Sequence, residues 1–427
     1  MKRGFYAVMA AQFFSSLADS ALLAAVLVLM QLDGASKWQQ AALVPMFGLF
    51  YVVLAPFVGA FADSQAKGRV MFNANLIKVV GCLLMLFGAD PLLCYAIVGL
   101  GAAAYSPAKY GILTEMLPPS LLVKANGWIE GLTIASIVLG TLLGGQLLRP
   151  TVAKHLLELD LPFVDLGICN PPEAAIAVLL SFYLLAALFN LRVPATGVEY
   201  RPMPPRLMSL VPDFWTCNMR LWRDKLGQIS LGATTLFWGV SANLRLIVLG
   251  WAAAALGYDV PHATALVGVV IIGTAAGIVV AALKSRLEDA PRLLPLGIGM
   301  GVLVLGLNLI TNVWVAAPFL VLLGALGGYL VVPMNALLQH RGHNLMGAGR
   351  SIAVQNFNEQ ACIVVLGALN SLAAGVGMSV FFAIGLFGVL NAGVMWLIRR
   401  HHSRNCVRYA EEVDHLLQLA RGSKLHG

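Results

Sequence analysis

Six ionisable residues lie inside long apolar runs: Asp19, Lys78, Lys109, Glu130, Arg245 and Glu359. A charge deep in a membrane span costs roughly 2.5–3.5 kcal/mol on insertion scales, so each is a functional candidate. Helix rise sets their depths: Asp19 and Arg245 lie about 20–25 Å from one end of their runs, and Lys109, Glu130 and Glu359 about 10–12 Å from the same side. The first pair puts a carboxylate and a guanidinium in one layer. Arg suits bidentate contact with a phosphate. Two readings stay open for Asp19 and Arg245: a substrate pair that breaks and forms, or a structural ion pair that only neutralises. The second layer suits a latch of Lys109 with Glu359 and Glu130 nearby, or a pairing of Lys109 with Glu130 alone. Lys78 is expected to stand alone about 12 Å from the nearer surface and to snorkel outward, with no role.

These residues need elements that hold charge within apolar surroundings. Of 427 residues, 59% are apolar and 11% charged, against about a quarter charged in soluble domains. A membrane helix needs about 20 apolar residues, so the composition almost fills a twelve-span design. It excludes a soluble enzyme with one core, a disordered chain and a nucleic-acid binder. Apolar runs predict helices over 4–32, 41–62, 70–88, 92–117, 122–148, 173–193, 228–256, 262–283, 293–310, 314–338, 351–375 and 378–398. The first is too long for the apolar core of a signal peptide. The runs are too continuous for a membrane barrel. The expected fold class is an all-α integral membrane protein with twelve transmembrane helices.

Among the 28 lysines and arginines, only Lys37, Arg149 and Lys154 fall in one set of loops, and Lys78, Lys109 and Arg245 fall in helices. The rest lie in the opposite loops and termini. Basic loops face the cytoplasm, so both termini are expected there. The proline-rich, basic segment 194–227 separates an N-terminal six-helix half (1–193) from a C-terminal one (228–398), and a basic tail (399–427) follows. The second part of 194–227, with Phe214, Trp215, Leu221 and Trp222 among basic residues, fits an interfacial helix and a solvated linker equally. In the tail, Tyr409, Val413, Leu416, Leu417 and Ala420 recur at helical spacing. The six cysteines show no paired spacing, and Cys169 is the only one in a long outer loop, so no disulfide framework is expected. Gly297-x-Gly299-x-Gly301 lies within an apolar span and has no nucleotide-binding context. The His155-to-Asp160 spacing of acyltransferases sits in a short loop and is discounted.

The halves echo each other. Asn126 and Glu130 open span 5 where Asn356 and Glu359 open span 11. Two six-helix repeats resemble the major facilitator fold, with its substrate site between the repeats. Gly59-Ala60-Phe61-Ala62-Asp63 with Lys67-Gly68-Arg69 resembles that superfamily's signature loop, which implies that Asp63 caps a neighbouring helix and that Lys67 and Arg69 hold an inner gate. Gly140 to Gly145 resembles its glycine-rich packing motif.

More specific stretches are AQFFSSLADSALL (11–23), GAAAYSPAKYGIL (101–113), VKANGWIE (123–130), LFWGVSANLRL (236–246) and GAGRSIAVQNFNE (347–359). With them the chain resembles the bacterial lysophospholipid transporter (LplT) family of major facilitators. The resemblance implies flipping of lysophospholipids such as lysophosphatidylethanolamine to the cytoplasmic leaflet of the inner membrane. A partner acyltransferase/acyl carrier protein synthetase would reacylate them there. It implies no enzyme activity, cofactor or metal, and a monomer. Glycine- and alanine-rich spans 4, 5, 8 and 10 are expected to leave room for the acyl tail. The competing class is a proton-coupled exporter of drugs or amphipathic metabolites.

Overall fold

The computed structural model describes residues 3–157 and 170–422. Cys169 and Asp160, and with Asp160 the His155 spacing, lie outside the described residues. The elements are α1 (Arg3–Leu32), α2 (Lys37–Val53), α3 (Ala55–Asp63), α4 (Lys67–Leu86), α5 (Pro91–Met116), α6 (Pro119–Leu147), α7 (Pro150–Leu157) and α8 (Pro171–Asn190). There follow α9 (Leu210–Arg223), α10 (Gly227–Leu256), α11 (Val260–Lys284), α12 (Leu294–Gly306), α13 (Val313–Met346), α14 (Ala348–Gly375), α15 (Val380–Arg408) and α16 (Ala410–Gly422). No strand occurs among the described residues. Eleven helical segments are long and apolar enough to cross a membrane, and the bent pair Ala42–Val53 and Ala55–Asp63 makes twelve.

That pair differs from the single straight span expected over 41–62. Its two parts meet at 62°. The break falls at Leu54, and Pro56 sits in the first turn of α3, where it has no N–H to continue the ladder of α2. Other helices outrun the expected ends. α13 continues to Met346 and α15 to Arg408, because a run of polar and basic residues ends the apolar stretch without ending helix propensity. Segment 194–227 contains the amphipathic helix α9, and the tail contains α16, whose Val413, Leu416 and Ala420 are buried.

The chain forms two compact units. The first comprises Met1–Glu115, Leu132–Phe214 and Gly347–Ala353; the second comprises Met116–Gly131, Trp215–Met346 and Val354–Gly427. In the first unit, α1 is packed on several sides. Ala18, Ala21, Leu22 and Ala25 join Val79 and Cys82 of α4 and Leu179 and Tyr183 of α8 in one core. Small residues on α1 also admit α6. A Cβ on Gly140 would strike the Leu17 carbonyl, and one on Gly144 would come within 2.8 Å of the Ala21 carbonyl. Lipid tails offer no hydrophobic drive between helices, so close backbone approach supplies the attraction.

The second unit repeats this device more strictly. Gly273 and Gly277 of α11 and Gly324 and Gly328 of α13 are each spaced by four residues. A Cβ on any of them would collide with a carbonyl of the other helix: Val321, Ala325, Val270 and Thr274 respectively. At these four glycines of spans 8 and 10 each helix fills the other's gap. Large apolar residues such as Leu188, Leu283, Val364 and Leu372 remain exposed. In water that would be costly, but a bilayer is their solvent.

Candidate functional site

The first unit holds a buried charge cluster built from three helices. Ser15 and Asp19 lie one turn apart on α1, and Asn75 and Lys78 lie one turn apart on α4, so each pair shares a helix face. Lys78 Nζ donates to Asp19 Oδ1 at 2.8 Å, to Asp19 Oδ2 at 2.7 Å and to Ser15 Oγ at 3.0 Å. The Tyr183 hydroxyl of α8 donates to Asp19 Oδ1 at 2.8 Å, and Ser15 Oγ donates to Asn75 Oδ1 at 2.9 Å. The ammonium lies 5.4 Å from the ring centre of Tyr105 and 5.3 Å from that of Tyr183. Lys78 is 1% exposed, whereas the Asp19 side chain is 21% exposed.

This corrects the expectation for Lys78. It neither stands alone nor snorkels, because a carboxylate on the adjacent helix offsets the loss of water around its ammonium. Asp19 thus has a cation partner in its own unit. Arg245, placed with Asp19 by depth, is exposed on α10 of the second unit. It takes part in no ion pair among the described residues.

A second network surrounds the turn between α3 and α4. Asp63 Oδ1 accepts from the Gly349 N–H at 2.6 Å and Oδ2 from the Arg350 N–H at 2.9 Å, which caps the first turn of α14. A carboxylate there meets both the free N–H groups and the positive end of the helix dipole. Lys67 Nζ donates to the Ala62 carbonyl at 2.6 Å and to Asp63 Oδ1 at 2.8 Å, and lies 3.3 Å from Glu115 Oε1. Arg350 Nε donates to Asp213 Oδ2 of α9 at 2.9 Å. The Thr196 hydroxyl donates to Glu115 Oε2 at 2.8 Å, and the Arg201 N–H to the Asp63 carbonyl at 3.1 Å. The start of the linker is therefore tied to the same turn. Arg69, expected beside Lys67, is exposed on α4 and outside this network.

In the second unit, Glu359 of α14 is buried. Its Oε1 accepts from Gln355 Nε2 at 2.8 Å, and Gln355 Nε2 also donates to Asn335 Oδ1 of α13 at 3.0 Å. Asn126 and Gln339 exchange two amide hydrogen bonds, at 2.9 and 2.8 Å. Glu130, one turn from Asn126, is also buried. Lys109, in the first unit, is buried with its ammonium 4.0 Å from the Tyr110 ring centre. Near the start of α10, Asp224 accepts the Gly227 N–H at 2.7 Å and grips Arg341 through Nε at 3.1 Å and Nη2 at 2.6 Å.

Sequence reasoning missed Lys78, Glu115, Asp213, Asp224, Arg341 and Gln355 as members of these networks. A signal existed for Lys78: two polar pairs at helical spacing on runs of similar depth. Glu115, Asp213, Asp224 and Arg341 end helices or flank loops, where a charge reads as solvated, and Gln355 carries no charge to stand out. Among the described residues, no group of three or more His, Cys, Asp or Glu side chains is placed to hold a metal.

The Major Facilitator Superfamily model matches residues 8–365. A protein of Yersinia enterocolitica named lysophospholipid transporter LplT is 42% identical over 381 residues, covering 89% of either chain. The chain belongs to the lysophospholipid transporter family of the major facilitator superfamily. A Yersinia pestis protein of the same name is 41% identical over 383 residues, again covering 89% of either chain. Among solved structures, the fold matches FucP, a superfamily transporter in its outward conformation, with a TM-score of 0.67 and 14% identity, over 94% of this chain and 99% of that one. It also matches the human organic anion transporter MFSD10, with a TM-score of 0.69 and 14% identity, over 94% of this chain and 100% of that one. These two likenesses speak to the fold alone.

Proposed function

We propose that this protein is a lysophospholipid flippase. It moves substrates such as lysophosphatidylethanolamine across the bacterial inner membrane to the cytoplasmic leaflet by alternating access. The observation that carries this reading is the 42% identity over 89% of the chain to a protein named for that transport. The site chemistry is suited to it. A one-chain phospholipid needs a cation for its phosphate, and Arg245 stands exposed on α10. Asp19 is the acidic member of the substrate layer. Lys109, Glu130 and Glu359 form the gating layer nearer the cytoplasm, together with Asp63, Lys67 and Arg69 at the α3–α4 turn. The placement of basic residues supports cytoplasmic termini. The delivered lipid is then reacylated by an acyltransferase/acyl carrier protein synthetase, which keeps the gradient inward. The transporter acts as a monomer.

The decisive experiment measures flipping of labelled lysophosphatidylethanolamine in proteoliposomes, with and without a pH gradient. Flipping in both conditions, lost in Arg245→Ala, is the expected result. Absence of lipid movement together with proton-driven export of an amphipathic drug would replace this reading with the exporter class. Normal flipping by Arg245→Ala would remove that residue from the site.

A further inference from the structure

The cluster around Lys78 contains more hydrogen-bond donors than its resident anion uses. Lys78 spends its three N–H groups on two Asp19 oxygens and on Ser15. Asp19 accepts one more bond from Tyr183. Two further donors are fully buried and unpartnered among the described residues: the Tyr105 hydroxyl and the Asn75 amide nitrogen. Asn75 already accepts from Ser15 through its oxygen, so its orientation is set and its nitrogen is left over. Tyr105 lies against the ammonium. Buried polar groups are normally satisfied, and an orphan needs an explanation. Two orphan donors beside one lysine describe a site larger in acceptor capacity than a carboxylate.

We propose that this cluster is a phosphate site, occupied here by Asp19 as a resident anion. The lysophospholipid phosphate replaces Asp19 on Lys78 and recruits the Tyr105 hydroxyl and the Asn75 amide. The proposal rests on the flippase reading above and gives the phosphate a cation within the first unit. Asp19 is the group able to leave: its side chain is 21% exposed, against 2% for Lys78. Replacing one monoanion by another leaves the charge around Lys78 unchanged, so the exchange needs no proton. A phosphodiester also presents two unbridged oxygens, which a point-charge ammonium and neutral donors can share without the fork geometry of an arginine.

Tyr105→Phe decides the matter, because it deletes only the orphan hydroxyl. Flipping of labelled lysophosphatidylethanolamine is measured against lipid concentration in proteoliposomes, alongside thermal melting of the purified variant. The expected result is a rise in apparent KM of about 3- to 10-fold, the worth of one hydrogen bond, with an unchanged maximal rate and a melting temperature equal to or above wild type. Asn75→Asp, which keeps the acceptor for Ser15 and removes the spare donor, is expected to raise KM in the same direction. Wild-type KM in a normally melting Tyr105→Phe protein would overturn the phosphate site. A wild-type protein that flips no lysolipid would instead overturn the flippase reading. Inorganic phosphate covers the other source of this chemistry. Competition that raises the wild-type KM and weakens in Tyr105→Phe is expected; if inorganic phosphate binds the wild type through Tyr105 but leaves the lipid KM unchanged, the site belongs to free phosphate and the lipid assignment falls.

Discussion

Asp19 and Glu359 are both carboxyl groups within apolar helices, yet the two units accommodate them differently. In the first unit, Asp19 receives a lysine and a tyrosine. In the second, Glu359 accepts from the amide of Gln355. An ion pair removed from water holds only while both partners remain, and losing one strands a buried charge. An amide partner tolerates either a carboxylate or a neutral isostere. The difference separates a position where charge is required by the surroundings from one where hydrogen bonding suffices.

The largest effect is expected at Lys78. Lys78→Met strands Asp19 and should cost roughly 3–5 kcal/mol of stability, seen as a marked drop in melting temperature and loss of flipping. The double variant Lys78→Met/Asp19→Asn should recover most of the melting temperature without recovering transport. A double variant no more stable than the single would show that the pair is not what holds these helices.

Glu359→Gln is the contrasting substitution. Gln can still accept from Gln355, so stability should stay within about 1 kcal/mol of wild type, while the flipping rate falls because the gating charge is gone. A melting loss as large as that of Lys78→Met would abolish the distinction between the two carboxyl groups.

A second contrast pairs two helix-capping aspartates, Asp63 and Asp224. Asp63→Asn weakens the cap on α14 and the bond to Lys67, and the cap alone is worth about 1 kcal/mol. Asp224→Asn removes one side of a bidentate arginine pair. Asp224→Asn strands the buried Arg341 and should lower the melting temperature about as far as Lys78→Met does; Asp63→Asn leaves Lys67 its contact with Glu115, so it should lower it modestly and slow flipping severalfold if its turn is part of a gate. Equal transport by both variants would leave Asp63 a purely structural cap.

The smallest expected effect is that of a protonophore. The Asp19–Lys78 pair can open by exchange with a lipid phosphate of the same charge, so the cycle needs no proton. Flipping at fixed internal pH should change less than about twofold on uncoupling, a difference under 0.5 kcal/mol in barrier. A severalfold loss would show that a carboxyl in one of the two layers exchanges protons during transport.

Much of this protein is legible in its residues. Span number, helical class and family follow from apolar run length and from motifs such as SPAKYGIL (106–113), because a bilayer forces backbone groups to bond within the helix and fixes the length needed to cross. Asp19, Glu130 and Glu359 stand out because charge is rare in such runs. Partners do not stand out. Depth along each helix put Asp19 level with Arg245, but depth carries no rotation, and Ala18, Ala21 and Leu22 pack in one core with Val79 and Cys82 of α4 and Tyr183 of α8, which turns Asp19 to Lys78 and Tyr183. Lys78 was misread for that reason. The glycines of α11 and α13 show the same limit: composition records that they are small, and only the tertiary structure decides whether a small residue leaves a space or lets another backbone fill it. The sequence by itself determined where charge must be buried; the packing of helix faces, which depends on contacts between residues far apart in the chain, decided what neutralises it.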